Sequence, residues 1–206
     1  MRIVLASGNM HKRREFAAIF RGHTLLLPAE LGIEFHHEET GGSFLENALG
    51  KARTLWGLMS GAGLRGALVM SDDSGICLPA LGGEPGIYSA RYGREEAGRD
   101  LNDGERNEFL LGRMRGVRER EAFFVCAMVL LVGTYRFFSV QETLEGVLAE
   151  EPSGAGGFGY DPLLYLPERG CTVAELGEDE KNNISHRAKA ARALLILLDQ
   201  IKLLDK

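Results

Sequence analysis

The sequence predicts an α/β fold: a long mixed β-sheet flanked by helices, in a single domain over residues 1–206 with two lobes around a central cleft. Three observations lead there. Apolar runs of strand length alternate with helix-spaced stretches at both ends of the chain. Two β-rich runs, Glu121–Gly133 and Tyr135–Glu145, lie between those ends and meet at Gly133-Thr134 as a hairpin. The length, 206 residues, suits one large domain or two small lobes.

Each element has a local reason. Arg2–Ala6 is a short apolar run and reads as a buried strand. Lys12–Phe20 reads as a helix with Phe16, Ile19 and Phe20 inward. Leu25–Leu27 and Ile33–His36 read as short strands. Ser43, with Glu46 three residues on, is a capping-box pattern that opens a helix to about Met59. Leu45, Ala48, Leu49, Ala52, Leu55 and Trp56 recur along it at helical spacing. Ala67–Met70 reads as a buried strand, ended by an acidic turn, Ser71-Asp72-Asp73-Ser74-Gly75. Arg94 to about Met114 is a polar helical stretch with a break expected near Asp103-Gly104. Leu163–Leu166 is a short strand after Pro162, and Asn183–Leu204 a helix with Ala191, Leu194, Leu198 and Ile201 on one stripe.

Composition excludes several classes. Lys and Arg number 24 against 29 Asp and Glu, a formal charge of −5. Bulk binding of nucleic acid depends on positive surface, so this balance argues against a nucleic-acid partner. Cys77, Cys126 and Cys171 are odd in number and widely spaced, without zinc-ligand spacing. They suggest a reducing, cytoplasmic setting. The N-terminus lacks the apolar core of a signal peptide, and Ala190–Leu204 is too short and too charged to span a bilayer. No membrane partner is expected. Glycine is the unusual count, 27 residues, roughly twice the average share of ~7%. The glycines cluster where backbone must turn tightly or approach a ligand.

Four clusters could carry chemistry. Ser7-Gly8-Asn9-Met10-His11-Lys12 lies between a strand and a helix; free N–H groups, a compact glycine and a lysine suit a phosphate. Taken alone it is better read as an ordinary strand-to-helix turn with an exposed lysine, because such turns are common. Glu38-Glu39 and Asp72-Asp73 offer carboxylates for a hard cation or for a proton taken from water. Gly154, Gly156 and Gly159 satisfy G-x-G-x-x-G, but Pro162 and a strand follow where a dinucleotide site needs a helix. That loop is better read as presenting an aromatic, Phe158 or Tyr160, and a carboxylate, Asp161, or as a flexible hairpin loop. Lys181, His186 and Arg187 sit at the expected start of the last helix, where the dipole disfavours cations. They suit an anionic partner, or are neutralised by Glu178, Asp179 and Glu180. Lys51 shares a helix face with Asn47; a lone lysine there is usually a surface residue. Phosphate donors, metal carboxylates, a stacking aromatic and polar base readers are together what a nucleoside triphosphate needs.

Seven blocks occur in order along nearly the whole chain: S-G-N-x-x-K (Ser7–Lys12), E-E-T-G (Glu38–Gly41), F-x-E-N-A-x-x-K-A (Phe44–Ala52), D-D-S-G (Asp72–Gly75), L-G-G-x-P-G-I-Y-S-A-R-Y (Leu81–Tyr92), G-G-F-G-Y-D-P (Gly156–Pro162) and E-K-N-x-I-S-H-R (Glu180–Arg187). They resemble the inosine/xanthosine triphosphate pyrophosphatase family. The departures are small: Ser7 where threonine is common, and Cys77 after D-D-S-G. The resemblance implies a homodimer that hydrolyses purine nucleoside triphosphates such as dITP, ITP and XTP to monophosphate and pyrophosphate with Mg²⁺. It implies that Ser7, Gly8, Asn9, Met10, His11, Lys12 and Lys51 hold the triphosphate and that Ser74 touches the substrate. Glu39 and Asp73, with Asp72 close by, would hold magnesium, and Asp73 would take the proton of the attacking water. Phe158, Gly159, Tyr160, Asp161, Lys181, His186 and Arg187 would enclose the base. Two other readings use the same residues: a pyrophosphatase for other modified nucleotides, and a nucleotide sensor that binds without hydrolysis.

Overall fold

The computed structural model describes residues 1–204, and side chains through residue 200; Ile201, expected on the last helix's apolar stripe, lies outside the described side chains. The strands are β1 (Arg2–Leu5), β2 (Thr24–Leu26), β3 (Leu68–Cys77), β4 (Glu121–Gly133), β5 (Arg136–Leu148), β6 (Leu164–Leu166) and β7 (Cys171–Thr172). The helices are α1 (Met10–Ile19), α2 (Phe44–Gly61), α3 (Arg94–Ala97), α4 (Asp103–Arg113), α5 (Glu178–Ile184) and α6 (His186–Leu204). The strands form one sheet in the order β2-β1-β3-β4-β5-β6-β7. β1 pairs parallel with β2 and β3, and β6 antiparallel with β5 and β7, so the sheet is mixed.

The chain divides into two compact units. Among the described residues the first holds 1–73, 126–142 and 187–204; the second holds 74–125 and 143–186. In the first unit, strand periodicity of two sorts the core into two layers. Ile3, Leu5, Met70, Cys126, Met128 and Leu130 face Phe16 of α1, Phe20 at its C-cap, and Ala190, Leu194 and Leu198 of α6. Val4, Val69, Val129 and Leu131 face Ala48, Ala52, Leu55 and Met59 of α2. Strands covered on both sides read as continuous apolar runs, which is how β1 and β4 read in the sequence. The second unit has its own core around Ile76, Leu78, Leu110, Met114, Phe124, Leu148, Tyr160 and Leu163.

Four expectations need correction. Ile33–His36 forms no strand: the Ile33 amide donates to Pro28 C=O at 3.0 Å, ending a short turn, and Ile33 packs under α2 as a loop residue. Ser71–Gly75 is no turn; it lies inside β3, because both aspartates find buried cationic partners there and the strand can run on. The polar helical stretch breaks earlier than Asp103, at Gly98 with φ 66°, and α4 restarts on an Asn102–Glu105 capping box. The last helix is two helices, because Ser185 is extended (φ −60°, ψ 151°) between α5 and α6. The β4–β5 hairpin forms, with its turn at Thr134-Tyr135 and Tyr135 98% exposed. Among the described residues no helix is long and apolar enough to cross a membrane.

Leu55 is fully buried between α2 and the sheet. We expect Leu55→Ala to cost about 2–5 kcal/mol, the usual range for a core truncation. Urea denaturation at neutral pH reads it as a lower midpoint with an unchanged slope.

Candidate functional site

β3 carries two adjacent carboxylates through the first unit, and the strand turns them to opposite faces of the sheet. Both are buried, at 1% and 5% exposure for Asp72 and Asp73. A buried carboxylate must be paired, and the covering helices supply the cations.

On the Asp72 face, Lys12 Nζ lies 2.7 Å from Asp72 Oδ2, with Arg187 Nε at 3.6 Å from the same oxygen. Arg187 Nη1 also donates to Glu15 Oε2 at 2.7 Å. Burial alone would raise the Asp72 pKa; the fields of Lys12, Arg187 and Lys51 reverse that and bring it down to about 2. Burial opposes the charge of Arg187 too, and Glu15 and Asp72 more than restore it. Arg187 is therefore no exposed cation at a helix start, as its sequence position suggests. It is 3% exposed and fixed by two acids.

On the Asp73 face, Lys51 Nζ donates to Asp73 Oδ1 at 3.1 Å and to Glu39 Oε1 at 2.7 Å. Asn47, one turn earlier on α2, donates from Nδ2 to Asp73 Oδ2 at 3.1 Å. Its own Oδ1 accepts from Gly41 N–H at 2.8 Å, tying the Glu38–Gly41 loop, and Glu39 with it, to the helix. A Cβ at Gly41 would meet that Oδ1 at 2.8 Å, so the close approach needs glycine. The Asp73 pKa is raised, first by burial and further by Glu39, against the pull of Lys51. Burial would lower the Lys51 pKa, but Asp73, Asp72 and Glu39 raise it overall. Lys51 is no surface lysine; it is the buried counter-ion of two acids.

The Ser7–Lys12 turn is built from its own side chains. Ser7 Oγ accepts from Asn9 N–H at 3.0 Å, and Asn9 Oδ1 from the N–H groups of His11 at 2.9 Å and Lys12 at 3.2 Å. Asn9 thus caps α1, and two amides expected to be free for an anion are capped here. Gly8 stays open: a Cβ there would meet nothing within 4 Å. Met10 and His11 are exposed beside it.

The second unit holds Ser74, Phe158–Asp161, Lys181 and His186. Asp161 Oδ2 accepts from Phe158 N–H at 2.8 Å and from Lys181 Nζ at 2.7 Å. The Lys181 ammonium stands 4.9 Å from the Phe158 ring centroid, within cation–π range. Of the two aromatics, Tyr160 is core: it is 5% exposed and its hydroxyl donates to Ser89 C=O at 2.9 Å. Phe158 is the half-buried one. His186 stacks on Phe124, centroids 4.7 Å apart and planes at 25°. Ser74 is half-buried in β3. The glycine pattern has a packing cause: a Cβ at Gly154 or Gly156 would collide with the Ala174 backbone at 2.6–2.8 Å, and one at Gly157 with the Asp161 carboxylate.

The metal expectation narrows. Asp72 points away from Asp73, so the adjacent pair cannot chelate one ion together. Among the described residues no group of three His, Cys, Asp or Glu gathers as a metal site. What converges is two carboxylates, Glu39 and Asp73, on one ammonium. Two carboxylates completed by phosphate oxygens and water suit Mg²⁺, which is seldom caged by protein alone.

Sequence reasoning missed Glu15, Phe124 and the role of Asn47. Asn47 had a signal, its i,i+4 spacing to Lys51. Glu15 and Phe124 lie far along the chain from Arg187 and His186, and nothing local marks them.

A family model described as the Ham1 family matches residues 3–197. The chain belongs to the Ham1 family. A relative from Treponema denticola, named dITP/XTP pyrophosphatase, is 47% identical over 92% of this chain and 94% of its own. Another of that name, from Thermus thermophilus, is 48% identical over 95% and 90%. A solved Ham1 protein from Coxiella burnetii is 35% identical, covers 97% of this chain and 99% of its own, and superposes with a TM-score of 0.84. The Ham1 fold of this chain therefore extends over nearly its full length.

Asp72 gives a pH prediction. Its folded pKa lies below the ordinary 3.8, so its stabilisation is present above about pH 4 and lost as pH falls toward about 2. The shift corresponds to about 2 kcal/mol. In urea denaturation between pH 6 and pH 2, the stability gap between wild type and Asp72→Asn should shrink across that window. A gap independent of pH would contradict the paired, ionised Asp72.

Proposed function

We propose that this chain is a nucleoside triphosphate pyrophosphatase that removes non-standard purine nucleotides, dITP, ITP and XTP, from the nucleotide pool with Mg²⁺ as its metal. The observation that carries the reading is Asp73, a buried carboxylate of raised pKa held by Asn47 and Lys51 beside Glu39. A sensor that only binds nucleotide gains little from a base positioned for water. The relatives' name, dITP/XTP pyrophosphatase, supplies the substrate class.

The proposed chemistry is attack of water on the α-phosphorus. An O–P bond forms, the bond to the bridging oxygen of the β-phosphate breaks, and pyrophosphate leaves. Asp73 accepts the water's proton, from a carboxylate that burial and two fixed hydrogen-bond donors hold in place. Asn47 holds one carboxylate oxygen and Lys51 the other, so the orientation is set before substrate arrives. Lys51, Lys12 and the open backbone at Gly8, with Ser7, Asn9, Met10 and His11 around it, take the triphosphate, where charge neutralisation dominates catalysis. Magnesium, held by Glu39 and Asp73, would supply further neutralisation of the phosphates.

For the base, Phe158 offers a stacking face, with Gly159, Tyr160 and Asp161 forming its loop. Lys181 and His186 offer donors suited to a 6-keto oxygen, and Ser74 a hydroxyl. Adenine carries an amino donor at that position, and a site built to donate there can reject it by up to ~10⁴–10⁵. The reading also has the chain work in the cytoplasm as a homodimer; sedimentation at micromolar concentration tests the latter. Of the segment Ile87–Tyr92, one candidate surface, Tyr88 and Ala90 are exposed while Ser89 and Tyr92 are buried.

The test is pyrophosphate release from dITP, ITP, XTP, dGTP, GTP and ATP, with Mg²⁺ and with EDTA. We expect metal-dependent release from the first three and weak release from GTP and ATP. Asp73→Asn should lower kcat by about 10²–10⁴ with nucleotide affinity largely kept. Slow, equal turnover in wild type and variant would overturn the assignment of Asp73.

A further inference from the structure

Helix α4 gives the glycine loop two side chains that lie in none of the seven sequence blocks. Asp103 and Asn107 stand one turn apart on one face of α4. Asp103 Oδ2 accepts from Gly159 N–H at 2.7 Å, and Asn107 Nδ2 donates to Gly159 C=O at 3.2 Å. Both backbone polar groups of one residue are therefore taken by one helix face. Asp103 is itself held by Arg106, which also donates to Leu101 C=O at 2.5 Å.

Two features mark this as more than incidental packing. A Cβ at Gly159 would meet nothing within 4 Å, so side-chain packing does not hold that residue; the hydrogen bonds do. Asn107 is 4% exposed, and its Oδ1 has no hydrogen-bond partner among the described residues. A buried acceptor left unsatisfied is destabilising, and an apolar residue would serve the core better. What the amide does there is hold Gly159. Phe158 on one side is pinned by Asp161, and Tyr160 on the other by Ser89. Gly159 sits between them in the left-handed region, φ 63°.

We propose that Asp103 and Asn107 are positioning residues for recognition of the base: by gripping Gly159 at its N–H and its C=O they fix where the Phe158 ring stands. The inference rests on the reading of Phe158 as the stacking partner. A ring fixed beforehand loses no freedom when a base stacks on it, and so binds more tightly than a mobile one.

The experiment measures kcat and KM for dITP in the full-length enzyme with Mg²⁺. Variants are Asp103→Ala, Asp103→Asn, Asn107→Leu, Phe158→Ala and the double variant Asp103→Ala/Phe158→Ala. Loss of one such hydrogen bond should raise KM by about 2–10-fold in Asp103→Ala and Asn107→Leu, with kcat within twofold. Asp103→Asn keeps an acceptor oxygen and should restore the wild-type KM. In the Phe158→Ala background, Asp103→Ala should add little, since its effect runs through that ring. Asp103 is half-exposed, so its variants keep the test open if Asn107→Leu does not fold. An unchanged KM in Asp103→Ala, or a full additive effect in the double variant, overturns the proposal. If Phe158→Ala itself leaves KM unchanged, the stacking role fails instead, and the positioning proposal falls with it.

Discussion

Two adjacent carboxylates inside a covered strand constrain the whole first unit. Removing an ion from water costs several kcal/mol even after relaxation, so neither Asp72 nor Asp73 can be buried without a cation. Because β3 alternates, the two are contacted by different cations, although the field of Lys51 also reaches Asp72. Lys12 comes from α1, Arg187 from α6, and both reach the Asp72 face. Lys51 comes from α2 and reaches the Asp73 face. Each of these helices also packs its apolar stripe on the same face it neutralises. Packing and charge pairing therefore specify the same arrangement, which is what a sequence with one preferred fold requires.

The two faces are not equivalent chemically. Asp72 has cations on one oxygen and a pKa of about 2, so it stays ionised and anchors Lys12 and Arg187. Asp73 has a neighbouring acid, Glu39, and a raised pKa. Neighbouring residues of the same type thus receive opposite environments, and their pKa values shift in opposite directions. The second unit treats Asp161 differently again. There one oxygen takes both a backbone N–H and Lys181, and so locks a glycine loop.

Much of this was legible in the residues. The apolar runs of β1 and β4, the Ser43 N-cap and the hairpin between β4 and β5 are local signals that the structure keeps, although Glu46 takes the Gly42 N–H rather than closing a reciprocal box with Ser43. The pairing of Asn47 and Lys51 was visible as helical spacing. Less legible was D-D-S-G, which has turn composition but is strand, because turn propensity is a weak prior once buried cations stabilise the extended chain. Ser185 is a favoured helix N-cap residue type, but inside a continuous helical spacing it did not by itself mark the break between α5 and α6. The choice between Phe158 and Tyr160 was equally hidden, since both are aromatic residues in one glycine loop and only burial distinguishes them.

The sequence by itself determined most of the elements, the family, and the chemical inventory of acids, cations, glycines and an aromatic. Those follow from interactions within a few residues, where spacing equals geometry. The tertiary structure alone decided the partners: that Arg187 meets Glu15 across 172 residues, that Lys51 bridges Glu39 and Asp73, and that Asp72 and Asp73 part company. Such contacts depend on which strands and helices become neighbours, and the cost of burying each charge is met only by groups that folding brings from elsewhere in the chain.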